Sequence, residues 1–361
     1  MSGSLIGTRN RGSCRSLRRF KSLRSTVVLF AFSFLLFGSI ANAQTDRVYP
    51  LTGTPVSGKI VEIKRDGVVV ESGQKKQPLP VDQIEKIMYE GDPAALTKGR
   101  EFAIDGQWEQ ALEELKRVDF ETLKRDIVKA DATFYLNKCE AKLALVGRGN
   151  SGDAIKKLLT FVKENAQSIH FYGAAKLLGD LAVATGNFDS AIKYYGVIGQ
   201  APAADMKIEA AYLTGLAKLR QGKTPEAQAD FEKVIGAAVQ STNALRMQTL
   251  SKAGLAVAMS QQGKGEDGIK LVDTLVSELN QADSEMASRI YNAQGACFEA
   301  TGDTLGAALA YLHTHLMFSG QADAHAEALS KLVQLWPKLG KPERAAEARE
   351  ELQQRYPGWG K

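Results

Sequence analysis

The hydrophobic pattern of the chain changes near residue 92. Before it, short runs of β-branched residues are separated by turns; after it, long stretches rich in Ala, Leu, Lys, Glu and Gln predict helices. In these stretches a turn glycine, followed five positions later by a small residue, recurs at spacings of 36 to 43 residues. This recurrence predicts about seven helix-turn-helix units. The turn glycines are Gly106, Gly149, Gly186, Gly222, Gly263, Gly302 and Gly340, and the small residues are Ala111, Ala154, Ala191, Ala227, Gly268, Ala307 and Ala345.

A second periodic feature pairs small residues with large ones. Most units have a small residue seven positions before the turn glycine and a large residue nine positions after it. Two antiparallel helices approach closely only where one side chain is small and a large partner fills the gap. The pattern therefore predicts which residues meet inside a unit. The small residues are Gly99, Gly179, Gly215, Ala256 and Gly295, and the large ones are Leu115, Leu158, Tyr195, Phe231, Val272 and Tyr311.

Residues 44–92 have the pattern of a small β module with about five short strands. Arg65-Asp66-Gly67 lies between two β-branched runs, which is a hairpin signal. Prolines on both sides of Leu79 predict an edge strand. The strand pattern weakly resembles that of SH3-like or Sm-like barrels. Because the core of such a module is small, we expect it to pack against the helices rather than to stand alone.

The first 43 residues have the three parts of a signal peptide. Seven basic residues and no acid precede the apolar run Val27–Ile40, and Ala41-Asn42-Ala43 follows. Fourteen apolar residues are fewer than the ~20 that span a bilayer. We predict cleavage before Gln44 and export to the periplasm or cell envelope. The alternative is an inner-membrane anchor formed by residues 26–41, and we expect no other membrane contact.

Charge and cysteine content narrow the function classes. Without the leader the chain has 39 basic and 41 acidic residues, a net charge of −2. This argues against nucleic-acid binding, which needs a basic surface. Cys139 and Cys297 lie in apolar helical stretches four units apart, too far for a disulfide. We expect both to be buried, unpaired thiols.

No motif in the sequence predicts catalysis, a cofactor or a metal. Gly147, Gly149 and Gly152 form a GxGxxG, but this motif follows the helical run Phe134–Val146 instead of a strand, which predicts an inter-helix turn. His313 and His315 are two positions apart on a helix and so point to different faces. We therefore expect no metal site among the histidines, which are His170, His313, His315 and His325.

The helical region resembles the tetratricopeptide repeat (TPR) family over roughly 270 of the 361 residues. The clearest stretches run from Gly99 to Leu112 and from Gly179 to Ile192. The resemblance implies a mainly α fold: a solenoid of about seven units over residues 93–361, preceded by the β module.

The family's first helices line a concave groove that takes a peptide or a partner's helix. Asp180 stands where a clamp for a C-terminal carboxylate has Asn, so we do not expect a carboxylate tail as ligand. We expect Tyr212 and Arg289 to lie outside the core. By resemblance the groove-facing residues are Asn137, Lys176, Asp180, Tyr212, Arg220, Arg289, Asn292 and Glu299.

These features together favour an exported, non-enzymatic scaffold. It would bind a protein or peptide partner in the periplasm or cell envelope through the concave groove. Two alternatives stay open: an accessory protein that binds cell-wall polymer through its β module, and an envelope hydrolase.

Overall fold

The computed structural model describes residues 45–239 and 241–359. The predicted signal peptide and its cleavage site before Gln44 lie outside the described residues. Within these two ranges, no helix is long and apolar enough to cross a membrane.

The N-terminal part is a five-stranded antiparallel sheet in the order β4-β3-β2-β1-β5. The predicted hairpin joins β2 to β3, with Lys64 opposite Gly67. Strand β4, which contains Pro78 and Pro80, lies at an edge of the sheet as its prolines predict. A 3-10 turn at Val81–Gln83 leads into β5. The strands are β1 Asp46–Pro50, β2 Val56–Lys64, β3 Gly67–Ser72, β4 Lys75–Pro80 and β5 Ile84–Met88.

The rest of the described chain is an array of seven antiparallel helix pairs. Each odd-numbered helix below is the first of its pair, and the even-numbered helix that follows is the second. The helices are α1 Ala94–Ile104, α2 Trp108–Lys116, α3 Asp126–Leu145, α4 Ser151–Glu164, α5 Phe171–Ala184, α6 Phe188–Ile198, α7 Ala204–Arg220, α8 Thr224–Ile235, α9 Thr242–Gln261, α10 Gly265–Ser277, α11 Ser284–Thr301, α12 Thr304–Met317, α13 Ala322–Lys338 and α14 Pro342–Arg355.

The predicted contacts between small and large residues are confirmed for the four pairs in which the small residue is glycine. A Cβ atom on Gly99 would lie 2.6 Å from Cγ of Leu115, and one on Gly215 would lie 2.7 Å from Cε1 of Phe231. Real Cβ atoms do not approach other heavy atoms so closely. The aromatic or leucine side chain of the second helix therefore occupies the space that glycine leaves on the first.

The turn of the second unit differs from the prediction. The residue with left-handed backbone is Gly147, at φ +74°, and not Gly149. Helix α3 ends at Leu145, and the connection to α4 is longer than the other turns. Ala154 and Leu158 are nevertheless buried as expected. The prediction failed because several glycines are adjacent here and spacing alone does not show which one reverses the chain.

The sheet packs on the first helices through one shared core. Val48 and Ile87 of the sheet belong to the same buried cluster as Leu96 of α1 and Ala132 of α3. The Tyr172 hydroxyl of α5 also donates a 2.8 Å hydrogen bond to Asp66 in the β2–β3 turn. The sheet thus covers the beginning of the helical array. Cys139 and Cys297 are buried and unpaired, as predicted.

Buried ion pairs reinforce this junction. Both nitrogens of the Arg125 fork donate to Asp46, at 2.7 and 2.9 Å. Arg100 is fully buried and donates to Asp92 at 3.0 Å and to Asp131 at 2.7 Å. Burial disfavours the charged guanidinium, but the two carboxylates outweigh it and raise the pKa of Arg100.

Candidate partner-binding cavity

The concave side of the array encloses two adjoining cavities. The main cavity has a volume of about 390 Å³ and the side cavity about 320 Å³, and they share Leu216, Arg220 and Arg289. Helices α3, α5, α7, α11 and α13 supply most of the main cavity's lining. That lining consists of Trp108, Lys142, Leu145, Val146, Lys176, Asp180, Val183, Ala184, Tyr195, Leu213, Leu216, Ala217, Arg220, Glu285, Arg289, Gly320, Gln321, Ala322, Asp323 and Trp359.

Two ion pairs cross the cavities and end on α13, which is the first helix of the last pair. Arg220 of α7 donates to Glu327 of α13 at 2.8 Å, and Arg289 of α11 lies 2.7 Å from Asp323 of α13. Burial alone would raise the pKa of Asp323, but the positive charges of Arg289 and Arg220 lower it to about 2. The pairs join helices that are distant in sequence, so the array curves back toward its own concave side.

A second charged group lies on α5. The Lys176 ammonium is 3.3 Å from Asp180 and 3.9 Å from Glu209 of α7. Although burial disfavours the ammonium charge, the two carboxylates outweigh it and raise the pKa of Lys176. Asp180 also accepts a 2.9 Å hydrogen bond from the Tyr195 hydroxyl. The carboxylate of Asp180 is therefore already engaged by two neighbours.

Some polar groups on the cavity walls have unused hydrogen-bonding capacity. Lys142 forms no hydrogen bond or ion pair with any described residue. Nε of Arg289 is buried and has no hydrogen-bond acceptor, and Oδ1 of Asn292 in the side cavity has no donor. The main cavity is lined by four basic and three acidic side chains, and Glu209 and Glu327, just outside that lining, pair with Lys176 and Arg220. Lys142 is therefore the basic side chain of this lining that has no ion pair among the described residues. Lys142 is partly exposed and within reach of an incoming ligand, whereas Nε of Arg289 and Oδ1 of Asn292 have almost no accessible surface.

Six of the eight residues predicted to face the groove line one of the two cavities. The four in the main cavity are Lys176, Asp180, Arg220 and Arg289, and the last two also line the side cavity with Tyr212 and Asn292. Asn137 and Glu299 line neither cavity. Asn137 is buried, and its Nδ2 donates a hydrogen bond to the Lys157 carbonyl. Glu299 accepts a hydrogen bond from the Tyr311 hydroxyl and pairs with the Lys331 ammonium.

The expectation that Tyr212 lies outside the core is wrong. Its side chain is only 3% exposed and its ring centroid lies 6.4 Å from that of Phe231. Phe231 also packs against Gly254 of α9, where a Cβ atom would lie 2.5 Å from its Cζ. Because glycine lets α9 come this close, α7 is enclosed on that side. Tyr212 is a core residue whose edge borders the side cavity.

Several cavity residues were missed from the sequence. Asp323 and Glu327 are one turn apart at the start of α13, and that spacing on a first helix was the available signal. Lys142 and Glu285 gave a weaker signal, since each resembles a solvated helix-surface charge. Trp359 follows the last helix and had no repeat position to indicate its place.

The C-terminal segment closes one rim of the main cavity. A side chain on Gly147 would collide with the Arg355 carbonyl and with Pro357, so the α3–α4 turn touches this segment. The Trp359 ring lies under the Arg220 guanidinium at 5.4 Å. The second unit and the end of the chain therefore meet, and the concave side is a bounded cavity instead of an open groove.

Solved structures with a similar arrangement of helices identify the fold. One is a tetratricopeptide repeat protein from Parabacteroides merdae, 15% identical, with a TM-score of 0.50 over 74% of this chain and 93% of that one. Another is Rap protein complexed with Competence and Sporulation Factor, 14% identical, with a TM-score of 0.51 over 73% of this chain and 76% of that one. The protein has the tetratricopeptide repeat fold. No protein-family model and no curated protein sequence matches this chain.

Proposed function

We propose that this TPR protein is an exported, non-enzymatic scaffold that holds an extended segment of a partner protein in its main cavity. The observation that carries the proposal is a concave, partly apolar wall on which the basic side chain of Lys142 forms no hydrogen bond or ion pair with a described residue. Cavities of about 300–1,000 Å³ with a few convergent polar groups are typical ligand sites. The bounded cavity admits a peptide segment and excludes a folded surface.

The chemistry of the cavity favours a segment with an acidic side chain. A carboxylate near Lys142 would give its ammonium group an acceptor that no described residue supplies. An acidic side chain on an extended peptide provides such a carboxylate. Rap, which has a similar fold, is complexed with Competence and Sporulation Factor, and this supports a TPR array as the ligand-holding part.

The test begins with capture of a partner on residues 44–361 from envelope extract, followed by purification of that partner. Its Kd is then measured for the wild type and for Lys142→Glu, which reverses the unpaired charge in the cavity. We expect more than tenfold weaker binding, or about 1.4 kcal/mol. Lys233→Glu on the exposed side of α8 is the matched control and should bind as the wild type does. Equal affinities for all three proteins would contradict a cavity site.

Export is the second part of the proposal, and it rests on the basic, apolar and A-x-A parts of residues 1–43. Mass measurement of the protein from a periplasmic or envelope fraction should give an N-terminus at Gln44. An intact N-terminus in purified membranes would instead support the anchor formed by residues 26–41. Retention on wall sacculi that Lys142→Glu leaves unchanged would favour the polymer-binding alternative.

A further inference from the structure

Three side chains from the last three helices converge at the C-terminal end of the array. Nδ1 of His315 on α12 lies 2.9 Å from Nε2 of His325 on α13. Glu351 on α14 places Oε1 3.7 Å from Nε2 of His325 and Oε2 3.9 Å from Nε2 of His315. One possible ligand atom from each residue lies within 4.8 Å of the others.

The orientation of His325 suits a metal ligand. It is fully buried, and its Nδ1 lies 2.8 Å from the Tyr356 hydroxyl, so Nε2 faces His315 and Glu351. Metal-bound imidazoles commonly have such a partner on the second nitrogen.

A hydrogen-bonded histidine pair explains part of this cluster without a metal, but it does not explain the carboxylate. Glu351 faces both rings at distances too long for a hydrogen bond. Tetrahedral geometry places ligand atoms ~3.3 Å apart when metal–ligand bonds are about 2.0–2.1 Å. The 2.9 Å from Nδ1 of His315 to Nε2 of His325 and the 3.7 Å from Nε2 of His325 to Oε1 of Glu351 lie on either side of that spacing. Arg355 donates to Oε1 of Glu351 at 2.9 Å, and a carboxylate oxygen that accepts one hydrogen bond has a second lone pair for a metal.

We propose that His315, His325 and Glu351 bind one divalent transition-metal ion of the zinc class. Two imidazoles and one carboxylate are a donor set that zinc accepts, with a fourth position open to water. The ion would link α14 to α12 and α13. Tyr356, which contacts His325, begins the segment that reaches Gly147, so the ion would also fix the closed rim of the main cavity.

The sequence analysis predicted no metal site among the histidines, and the reason was correct but incomplete. His313 and His315 do point to different faces: His313 stacks on Tyr291 with ring centroids 3.9 Å apart. The third ligand, Glu351, belongs to a helix whose position depends on how the last unit packs.

The test uses chelator-treated full-length mature chain without a histidine tag. Zinc is titrated by calorimetry, and cobalt by its visible absorption. We expect one ion per chain, cobalt bands of a four- or five-coordinate site, and a higher Tm with zinc because the ion binds the native state. His315→Gln and Glu351→Gln should each weaken binding at least tenfold. Tyr356→Phe, which removes the hydroxyl that orients His325, should weaken it by about tenfold.

His313→Gln is the matched control, because His313 lies on the same helix outside the cluster, and it should bind zinc as the wild type does. Circular dichroism of each variant without metal shows whether it is folded. Absence of zinc binding in the folded wild type would overturn the proposal. Binding that survives both His315→Gln and Glu351→Gln would overturn it too, since the ion would then be at another site.

Discussion

At the scale of single residues, four of the seven described helix pairs depend on one glycine that has no side chain where the two helices meet. In the third unit, Gly179 of α5 lies against the Tyr195 ring of α6. The ring occupies the place that a Cβ atom would take. The same arrangement joins Gly215 to Phe231 and Gly295 to Tyr311. Glycine is therefore required here for close approach and not for backbone freedom.

Replacement of Gly179 by leucine should destabilise the protein. The new side chain overlaps the Tyr195 ring, and overpacking of this kind costs roughly 1–3 kcal/mol or more. Urea unfolding should show a lower midpoint. Gly196→Leu is the control, because Gly196 lies on the neighbouring helix α6 with no atom near its Cβ position. An equal effect of the two substitutions would contradict the packing.

A single cavity residue should also affect stability in acid. The pKa of Asp323 is about 2 in the folded protein, below its ordinary value of 3.8, because Arg289 and Arg220 outweigh its burial. A depressed carboxyl pKa gives stability that is present above the unfolded pKa and lost as pH falls toward the folded one. The Asp323 contribution should therefore disappear between about pH 4 and about pH 2.

This pH effect can be measured by urea unfolding at several pH values across that window. In Asp323→Asn the loss of stability on acidification should be smaller than in the wild type. Asp267→Asn, at an exposed position of α10, should keep the wild-type pH dependence. Identical pH profiles for the wild type and Asp323→Asn would count against the ion pair with Arg289.

At the scale of elements, the sheet and the helices are joined by a buried carboxylate and the arginine that pairs with it. Asp46 of β1 is completely buried and is held by Arg125 just before α3 and by the backbone N–H groups of Glu90 and Ile60. Burial raises the pKa of Asp46, but its hydrogen bonds, first that from Arg125, lower it overall. The Asp46 carboxylate can therefore be buried in its charged form at this junction because Arg125, the residue before α3, supplies a positive charge.

Removal of that cation should loosen the sheet. Arg125→Gln leaves the Asp46 carboxylate buried without a counter-charge, at a cost on the order of 3 kcal/mol. Hydrogen exchange in β1 should become faster and Tm should fall. Arg117→Gln removes an exposed arginine that pairs with Glu113 and Glu114, and its effect should be about 0.5 kcal/mol or less. Equal Tm values for the two variants would contradict the role of Arg125.

At the scale of the whole molecule, the contact between the second unit and the end of the chain gives the cavity its closed rim. Neighbouring units in a repeat array touch mainly each other. The meeting of Gly147 with Arg355 and Pro357 is an exception, since these residues are five units apart. Closure brings Trp359 to Arg220, and so places an aromatic ring over the cavity wall.

Gly147→Ala should open this rim. Alanine is strained at φ +74°, by about 1–3 kcal/mol, and its methyl group collides with the Arg355 carbonyl. Hydrogen exchange in residues 352–359 should increase while that of α7 and α8 stays unchanged. Gly152→Ala, at an exposed position in α4, is the control and should leave the segment protected. Unchanged protection in Gly147→Ala would show that the segment is held elsewhere.

Much of this architecture could be predicted from the chain because it depends on local order. The spacing of glycines and small residues predicted seven helix pairs and the Gly179–Tyr195 contact, since both helices of a pair lie within about 35 residues. Asp66-Gly67 and the prolines of β4 likewise predicted a hairpin and an edge strand. In these cases the interacting residues are close in sequence, and steric rules alone decide the result.

Other features were decided only by the tertiary structure, because they depend on the sum of many small rotations between units. The Arg220–Glu327 pair, the burial of Tyr212 and the convergence of His315, His325 and Glu351 all require a particular curvature or end packing. Each unit adds a rotation that its own sequence does not encode, because the rotation depends on how neighbouring side chains interlock. The chain thus determined its repeats, whereas the packing between repeats determined which charges share a cavity.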